Sequence, residues 1–335
     1  MATKVLVLGA TRYLGGCSVL ASLVKSYPNV KFSAVVRTST TSVPDSFAAF
    51  AKQSNAITRP SSIPDKFRAI GVEPILGSLD DLDLVTKLST DADIIIDTAD
   101  SENADLLNAL LEGQKHQKAE GKPTASFVHT SGTLTFTDKS GDGKFNTNGK
   151  LWTDSEEDIP CHMVKLLYRS LMKASEAGIV TSFIISPSGV YGTCTGPVER
   201  DSLISRLVVS NFLNEKRAYY VGEGSNRDEF IHLEDLVSLF EKVFKLALDA
   251  LSTPPTTSPY KRYYIASTTP IPWKDVVERF ACQLHKKGLI KSSKPIVISS
   301  ASEDLGPLAH LLASNMNTRG FRREELGWKP KHIAF

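Results

Sequence analysis

The chain has 335 residues, 41% of them hydrophobic and 23% charged, with a net charge of +2. That length can bury one large core or a domain with an added lobe, and the near-balanced charge argues against nucleic acid or an acidic membrane as a partner. No apolar run approaches the roughly 18 residues of a membrane span, and Met1-Ala2-Thr3-Lys4 leads straight into a strand rather than a signal peptide. The cysteines Cys17, Cys161, Cys194 and Cys282 are scattered without metal-type spacing and read as reduced thiols of a cytoplasmic protein.

Val5–Leu8 is a short apolar run of strand type. It enters Gly9-Ala10-Thr11-Arg12-Tyr13-Leu14-Gly15-Gly16, and a helix follows from Cys17. Strand, glycine turn and helix N-terminus together cradle a dinucleotide pyrophosphate, because backbone N–H groups and the helix dipole favour an anion there. Arg12 stands where the middle glycine of Gly-x-x-Gly-x-x-Gly is expected.

Strand two is Lys31–Arg37, followed by a long polar connection with Pro44, Pro60 and Pro64. Strand three, Glu73–Leu76, ends in Gly77-Ser78-Leu79-Asp80-Asp81. Strand four, Ile94–Ile96, closes on Asp97-Thr98-Ala99-Asp100, and strand five, Ser126–His129, on Thr130-Ser131-Gly132-Thr133. Lys139–Asp158 reads as a polar surface loop and Ile159–Ala177 as a helix. Strand six, Thr181–Ile185, closes on Ser186-Pro187-Ser188-Gly189-Val190-Tyr191-Gly192. Leu203–Leu213, Leu233–Ala250 and Trp273–Leu284 have helical periodicity, Tyr263–Ala266 is a further strand, and Arg319–Pro330 is a polar tail.

Strands alternating with helices predict an α/β fold, a Rossmann-type doubly wound parallel sheet with a small C-terminal substrate-binding lobe. The dinucleotide-binding domain is expected over 1–190, with its sheet completed by about 230–268, and the lobe over 191–230 and 269–335. Each polar cluster falls at the carboxyl end of a strand, where open α/β sheets bind ligands.

In this order the motifs resemble those of the extended short-chain dehydrogenase/reductase family, also called the NAD-dependent epimerase/dehydratase family. Gly9–Gly15 resembles its glycine loop, Gly77–Asp81 its adenine-side turn, and His129-Thr130-Ser131-Gly132 its strand-five motif. Pro187–Gly192 resembles its turn beside the nicotinamide, Asp228–Leu236 its Phe-Val-His-Val-x-Asp-Leu segment, and Leu326–Pro330 its C-terminal ending. The resemblance implies a nicotinamide cofactor held by Gly9, Thr11, Arg12, Tyr13, Leu14, Gly15, Arg37, Ser78, Leu79, Asp80, Thr98, Ala99, Thr130, Lys165, Pro187, Gly189 and Val190. Strand two ends in Val35-Val36-Arg37 without the carboxylate that holds an NAD ribose. Arg37, with Arg12, suits a 2′-phosphate, so NADP(H) is preferred over NAD. Asp80 either faces the adenine or caps the next helix.

The family's chemistry uses a Ser or Thr hydroxyl, a Tyr, and a Lys four residues later. Ser131 is the first choice for the hydroxyl, then Thr133 and Thr130, unless these only cap a strand-end turn. The Tyr-x-x-x-Lys is absent: Cys161-His162-Met163-Val164-Lys165 is the best match, and Tyr168 is five residues from Lys173. Three readings stay open. Lys165 holds the ribose while His162 or Cys161 moves protons; Tyr191 moves them; or no donor exists. Fungal-type members carrying a His-Thr-Ser-Gly-Thr motif share this departure. Two functions follow. One is an NADP(H)-dependent oxidoreductase or epimerase on a small carbonyl or hydroxyl compound, with Arg200 and Arg227 as anion-binding residues. The other is an NmrA-like NADP-binding sensor without turnover. The family's habit of pairing makes a homodimer an expectation.

Overall fold

The computed structural model describes residues 2–14, 18–37, 63–163, 169–299, 309–310 and 312–332. In chain order the strands are β1 Lys4–Leu8, β2 Lys31–Val36, β3 Glu73–Leu76, β4 Ile94–Asp97, β5 Ala125–Thr130, β6 Trp152–Thr153 and β7 Val180–Pro187. They continue with β8 Gly189–Tyr191, β9 Tyr219–Val221, β10 Arg227–His232, β11 Tyr263–Ala266, β12 Pro270–Pro272, β13 Ile296–Ile298 and β14 Thr318–Arg319.

Seven strands form one parallel sheet in the order β11-β7-β5-β4-β1-β2-β3. This is the doubly wound Rossmann arrangement, with its switch point between β1 and β4. Strands buried on both faces need apolar residues at every position, so they read as continuous runs. Alternate residues separate cleanly. Val5, Val7, Ile94, Ile96 and Val128 face a cluster containing Leu20, Leu23 and Phe244. Leu6, Leu8, Ile95 and Phe127 face a second cluster with Leu106, Leu110 and Leu171. The first face is covered by helices Leu20–Ser26 and Leu233–Ser252, the second by Leu82–Thr90, Ala104–Ala119 and Arg169–Glu176.

A third cluster, around Phe212, Tyr219, Phe230 and Trp273, forms the core of the smaller unit. It is built from helices Leu203–Asn214 and Trp273–Lys286, the sheet β12-β10-β8 and the pair β13-β9. The parallel pairing of β8 with β10, Gly189 opposite Phe230 and Tyr191 opposite His232, joins this unit to the end of β7.

Two expectations, for the 139–158 loop and the polar tail, are corrected by the packing. Lys139–Asp158 is not merely a surface loop: β6 within it pairs in parallel with β14, and buried Asp154 accepts from Ile265 N and Phe321 N at 3.2 and 2.8 Å. The expected helix Ile159–Ala177 is helical over Asp158–Met163 and Arg169–Glu176, and residues 164–168 lie outside the described residues. The polar tail sends one large apolar residue inward. Trp328 is buried in the sheet's first cluster, its indole N–H donating to Asp235 O at 2.9 Å, because the rest of that tail is too polar to be buried.

Candidate functional site

The site begins at Gly9, whose φ of +80° lies in the region where only glycine is unstrained. A Cβ there would sit 2.6 Å from the Thr98 carbonyl and 2.7 Å from Ala99 N, so β1 and β4 can end this close only with glycine between them. Thr98 fastens the junction, its N–H and hydroxyl both donating to Leu8 O, at 3.1 and 2.7 Å. Arg12 N donates back to Gly9 O at 2.8 Å, closing the turn. Tyr13 is buried, and its hydroxyl donates to Gly192 O at 2.7 Å. Leu14 packs against the first core cluster. Thr11 is held from the other side: Arg200 Nε donates to its carbonyl at 3.0 Å, so Arg200 braces the loop. Gly15 lies outside the described residues.

Arg12 is exposed as a residue, yet its head group is crowded by protein. Desolvation holds the guanidinium below its ordinary value; Asp100 and Asp97 oppose this, and Arg37 and Arg206 add to it. Arg12 and Arg37 therefore feel each other's charge, which is the arrangement a phosphate dianion would relieve. At the end of β3, Ser78 Oγ donates to Asp80 Oδ2 at 2.9 Å, and Leu79 is buried. The helix that follows is capped by Asp81, which accepts from Leu84 N at 3.1 Å, so Asp80 is not the cap.

The ends of β5 and β7 carry an unusual set of hydroxyls. Ser131 N donates to Ile185 O at 2.8 Å, placing Ser131 beside Ser186, and Ser188 N donates to Ala266 O at 3.0 Å. The hydroxyl oxygens of Thr130, Ser131, Ser186 and Ser188 are all buried without a hydrogen-bond partner among the described residues. Buried hydroxyls are nearly always satisfied, so four together at a sheet's carboxyl end mark a place where a polar ligand completes the network. Just beneath, His129 Nδ1 lies 3.1 Å from Asp97 Oδ2, both side chains buried. Ala99 N also donates to Asp97, at 3.0 Å. The sequence reading assigned no role to Asp97, His129, Ser186 or Ser188. The signal was a polar residue closing an otherwise apolar run, as in Ile94-Ile95-Ile96-Asp97.

The remaining expected residues divide. Thr133 is buried, its hydroxyl 3.8 Å from Met316 Sδ. His162 stacks on Phe136 at 3.8 Å and 18°, lies 5.2 Å from Trp152, and places Nε2 3.1 Å from Thr135 Oγ1. Cys161 is exposed. Lys165 lies outside the described residues. Pro187 ends β7, while Gly189 and Val190 belong to β8. Tyr191 packs edge-on to His232 at 5.1 Å; burial, then Asp235, pushes its phenol above its ordinary value, with Arg279 opposing. That is the wrong direction for proton transfer near neutrality. Beyond Thr133, a cavity of about 440 Å³ is lined by Phe136, Phe145, Lys150, Trp152, Arg227 and Asn315 among others. Arg227 covers the Phe145 ring at 4.6 Å there.

With this geometry in place, known proteins can be set beside it. A dTDP-glucose 4,6-dehydratase from Streptomyces venezuelae, solved with NAD bound, superposes with a TM-score of 0.61 at 15% identity, over 99% of this chain and 93% of its own. A UDP-glucose 4-epimerase from Thermotoga maritima gives 0.58 at 13% identity, over 98% and 94%. The chain has the fold of the NAD-dependent epimerases and dehydratases. The likeness extends through the smaller unit as well as the sheet, as the coverage shows. No protein-family model matches the chain. In sequence it is 24% identical to a protein named as an oxidase in Acremonium sp, over 98% of this chain and 93% of that protein.

Proposed function

We propose that this protein is an NADP(H)-dependent oxidoreductase or epimerase of the extended short-chain dehydrogenase/reductase type, acting on a small carbonyl or hydroxyl compound. One observation carries the reading: four buried hydroxyls at the ends of β5 and β7 lack partners among the described residues. They stand on the same sheet edge as the Gly9 turn. The residues present fit a dinucleotide. The backbone of Gly9–Leu14 would meet the pyrophosphate, Arg12 and Arg37 the 2′-phosphate, Ser78–Asp80 the adenosine, and Thr98–Ala99 with Pro187–Val190 the nicotinamide side. When bound, the nicotinamide supplies hydride donation and acceptance. Ser131 would hydrogen-bond the substrate oxygen and fix it for that exchange, with Thr130 and Ser186 completing the polar floor. The cavity behind Phe136 offers the substrate room. The NAD bound to the Streptomyces dehydratase and the naming of the Acremonium relative as an oxidase support a redox reading.

A second reading, a cofactor-binding sensor, is favoured by two observations. The Tyr191 phenol is pushed above its ordinary value by burial, and His162 packs against two aromatic rings. Calorimetric titration with NADPH and with NADH, followed by turnover on aldehydes and ketones, tests both. Preferential NADPH binding with turnover, reduced about 100-fold or more in Ser131→Ala, supports the enzyme. Tight binding of both redox forms without turnover favours the sensor. Binding of neither cofactor overturns both.

A further inference from the structure

Away from the hydroxyl cluster, three side chains converge where the C-terminal segment meets the start of helix Leu233–Ser252. His232, Glu234 and His332 offer ligand atoms that all lie within 4.8 Å of one another. The two imidazoles are stacked, centroids 3.9 Å apart and planes 27° from parallel. We propose that these three residues form a site for a divalent transition-metal ion of the zinc, cobalt or nickel type.

The argument starts from Asp235. Its carboxylate is buried and accepts Lys331 N at 2.8 Å and His332 N at 2.9 Å. The same carboxylate lies 3.2 Å from His332 Nδ1. A carboxylate only accepts, so Nδ1 of His332 carries the proton, and in the neutral ring Nε2 is left with its lone pair. A carboxylate bonded to the back of a histidine in this way is the usual support of a metal-ligating imidazole. Nε2 lies 3.6 Å from Glu234 Oε2, too long for a hydrogen bond; a protonated ring would make this an ion pair, and a neutral ring leaves a gap between two donor atoms. A metal cation bonded to both atoms of the neutral pair would fill that gap. His232 is the third donor. Among the described residues its ring is hydrogen-bonded only through the long 3.3 Å bond that Nδ1 accepts from Glu234 N, so it can turn out of the stack with His332 to bring a nitrogen lone pair in line with the ion.

Two imidazoles and one carboxylate suit borderline ions rather than calcium or magnesium, which prefer all-oxygen shells. The ion would clamp residue 332 to the end of β10. His232 also touches the Tyr191–Gly192 turn: a Cβ on Gly192 would lie 2.7 Å from His232 Nε2. Gly192 in turn receives the Tyr13 hydroxyl, so the clamp reaches the glycine loop through two contacts.

Cobalt(II) titration of the full chain, followed by visible absorption and equilibrium dialysis, tests the site. One equivalent should bind, with the weak d–d bands of nitrogen and oxygen ligation and a raised thermal midpoint. No thiolate-to-cobalt band should appear, although Cys161, Cys194 and Cys282 are present as thiols. His332→Ala and Glu234→Gln, each checked for a cooperative unfolding transition, should weaken binding by about tenfold or more. Absence of binding at millimolar cobalt, binding unchanged in both variants, or a thiolate band would overturn the proposal.

Discussion

His129 Nδ1 sits 3.1 Å from Asp97 Oδ2, with each side chain only 2% exposed, where adjacent parallel strands β4 and β5 end side by side. The register makes the contact inevitable, since Asp97 is opposite His129. The pair faces the second core cluster, alongside Phe127, whose ring lies 6.4 Å from that of His129. It therefore fixes the floor on which Thr130 and Ser131 stand. Removing one partner leaves the other polar and buried, at a cost of about 3 kcal/mol. Asp97→Ala should lower stability by about that amount in urea unfolding, whereas an effect below about 1 kcal/mol would show that the pair is not structural.

Gly9 supplies a second test. At φ +80°, with the Thr98 carbonyl 2.6 Å from any Cβ, alanine is excluded both by conformation and by contact. Gly9→Ala should destabilise the protein by about 2 kcal/mol or more and weaken dinucleotide binding. A variant with wild-type melting behaviour and cofactor affinity would contradict this account of the turn.

The arginine pair predicts a cofactor-selective effect. Arg12 feels the charge of Arg37, and a 2′-phosphate would lie between like charges that already repel. Arg37→Ala should weaken NADPH by about tenfold or more, worth about 1.4 kcal/mol, and leave NADH nearly unchanged. Equal losses for both cofactors would remove Arg37 from the phosphate site.

Acid–base behaviour is governed by Asp228. Its carboxyl is buried and accepts Glu229 N at 2.6 Å, with no salt bridge among the described residues. Burial pushes it up to about 8; Glu229 N–H opposes this and the Glu229 charge adds to it. The folded value lies above the unfolded value of about 4. The stability it contributes is therefore fully present at low pH and is lost as pH rises toward the folded value. Glu229, pushed up to about 7 chiefly by burial, acts in the same direction. The urea midpoint should fall between pH 5 and pH 8, judged by about one-unit steps, and Asp228→Asn should flatten that fall. A midpoint rising over this range would contradict the assignment.

The central sheet was legible because β1 and β4 are apolar on both faces, which makes each a continuous run such as Ile94-Ile95-Ile96. The helices Leu233–Ser252 and Trp273–Lys286 showed their buried stripes in the same way, and fell within a few residues of expectation. Many strand-to-helix turns carry glycine for steric reasons alone, and the turn at Gly9 was legible through its position after the first strand. The ring chemistry of His162 was legible in the sequence, but its aromatic neighbours Phe136 and Trp152 were not, being 26 and 10 residues away in sequence, positions 136, 152 and 162.

The amino-acid order by itself determined the alternation of strand and helix, the glycine turn, and the absence of a carboxylate after strand two. These are local matters of periodicity, backbone conformation and residue type. Tertiary structure alone decided which polar groups meet. Tyr13 finds Gly192, Arg200 finds Thr11, and Glu229 accepts from Thr318, partners 179, 189 and 89 residues apart. Those pairings follow from which strand ends lie side by side. The strand order β11-β7-β5-β4-β1-β2-β3 sets that adjacency through side-chain packing on both faces, and no short stretch of sequence contains it.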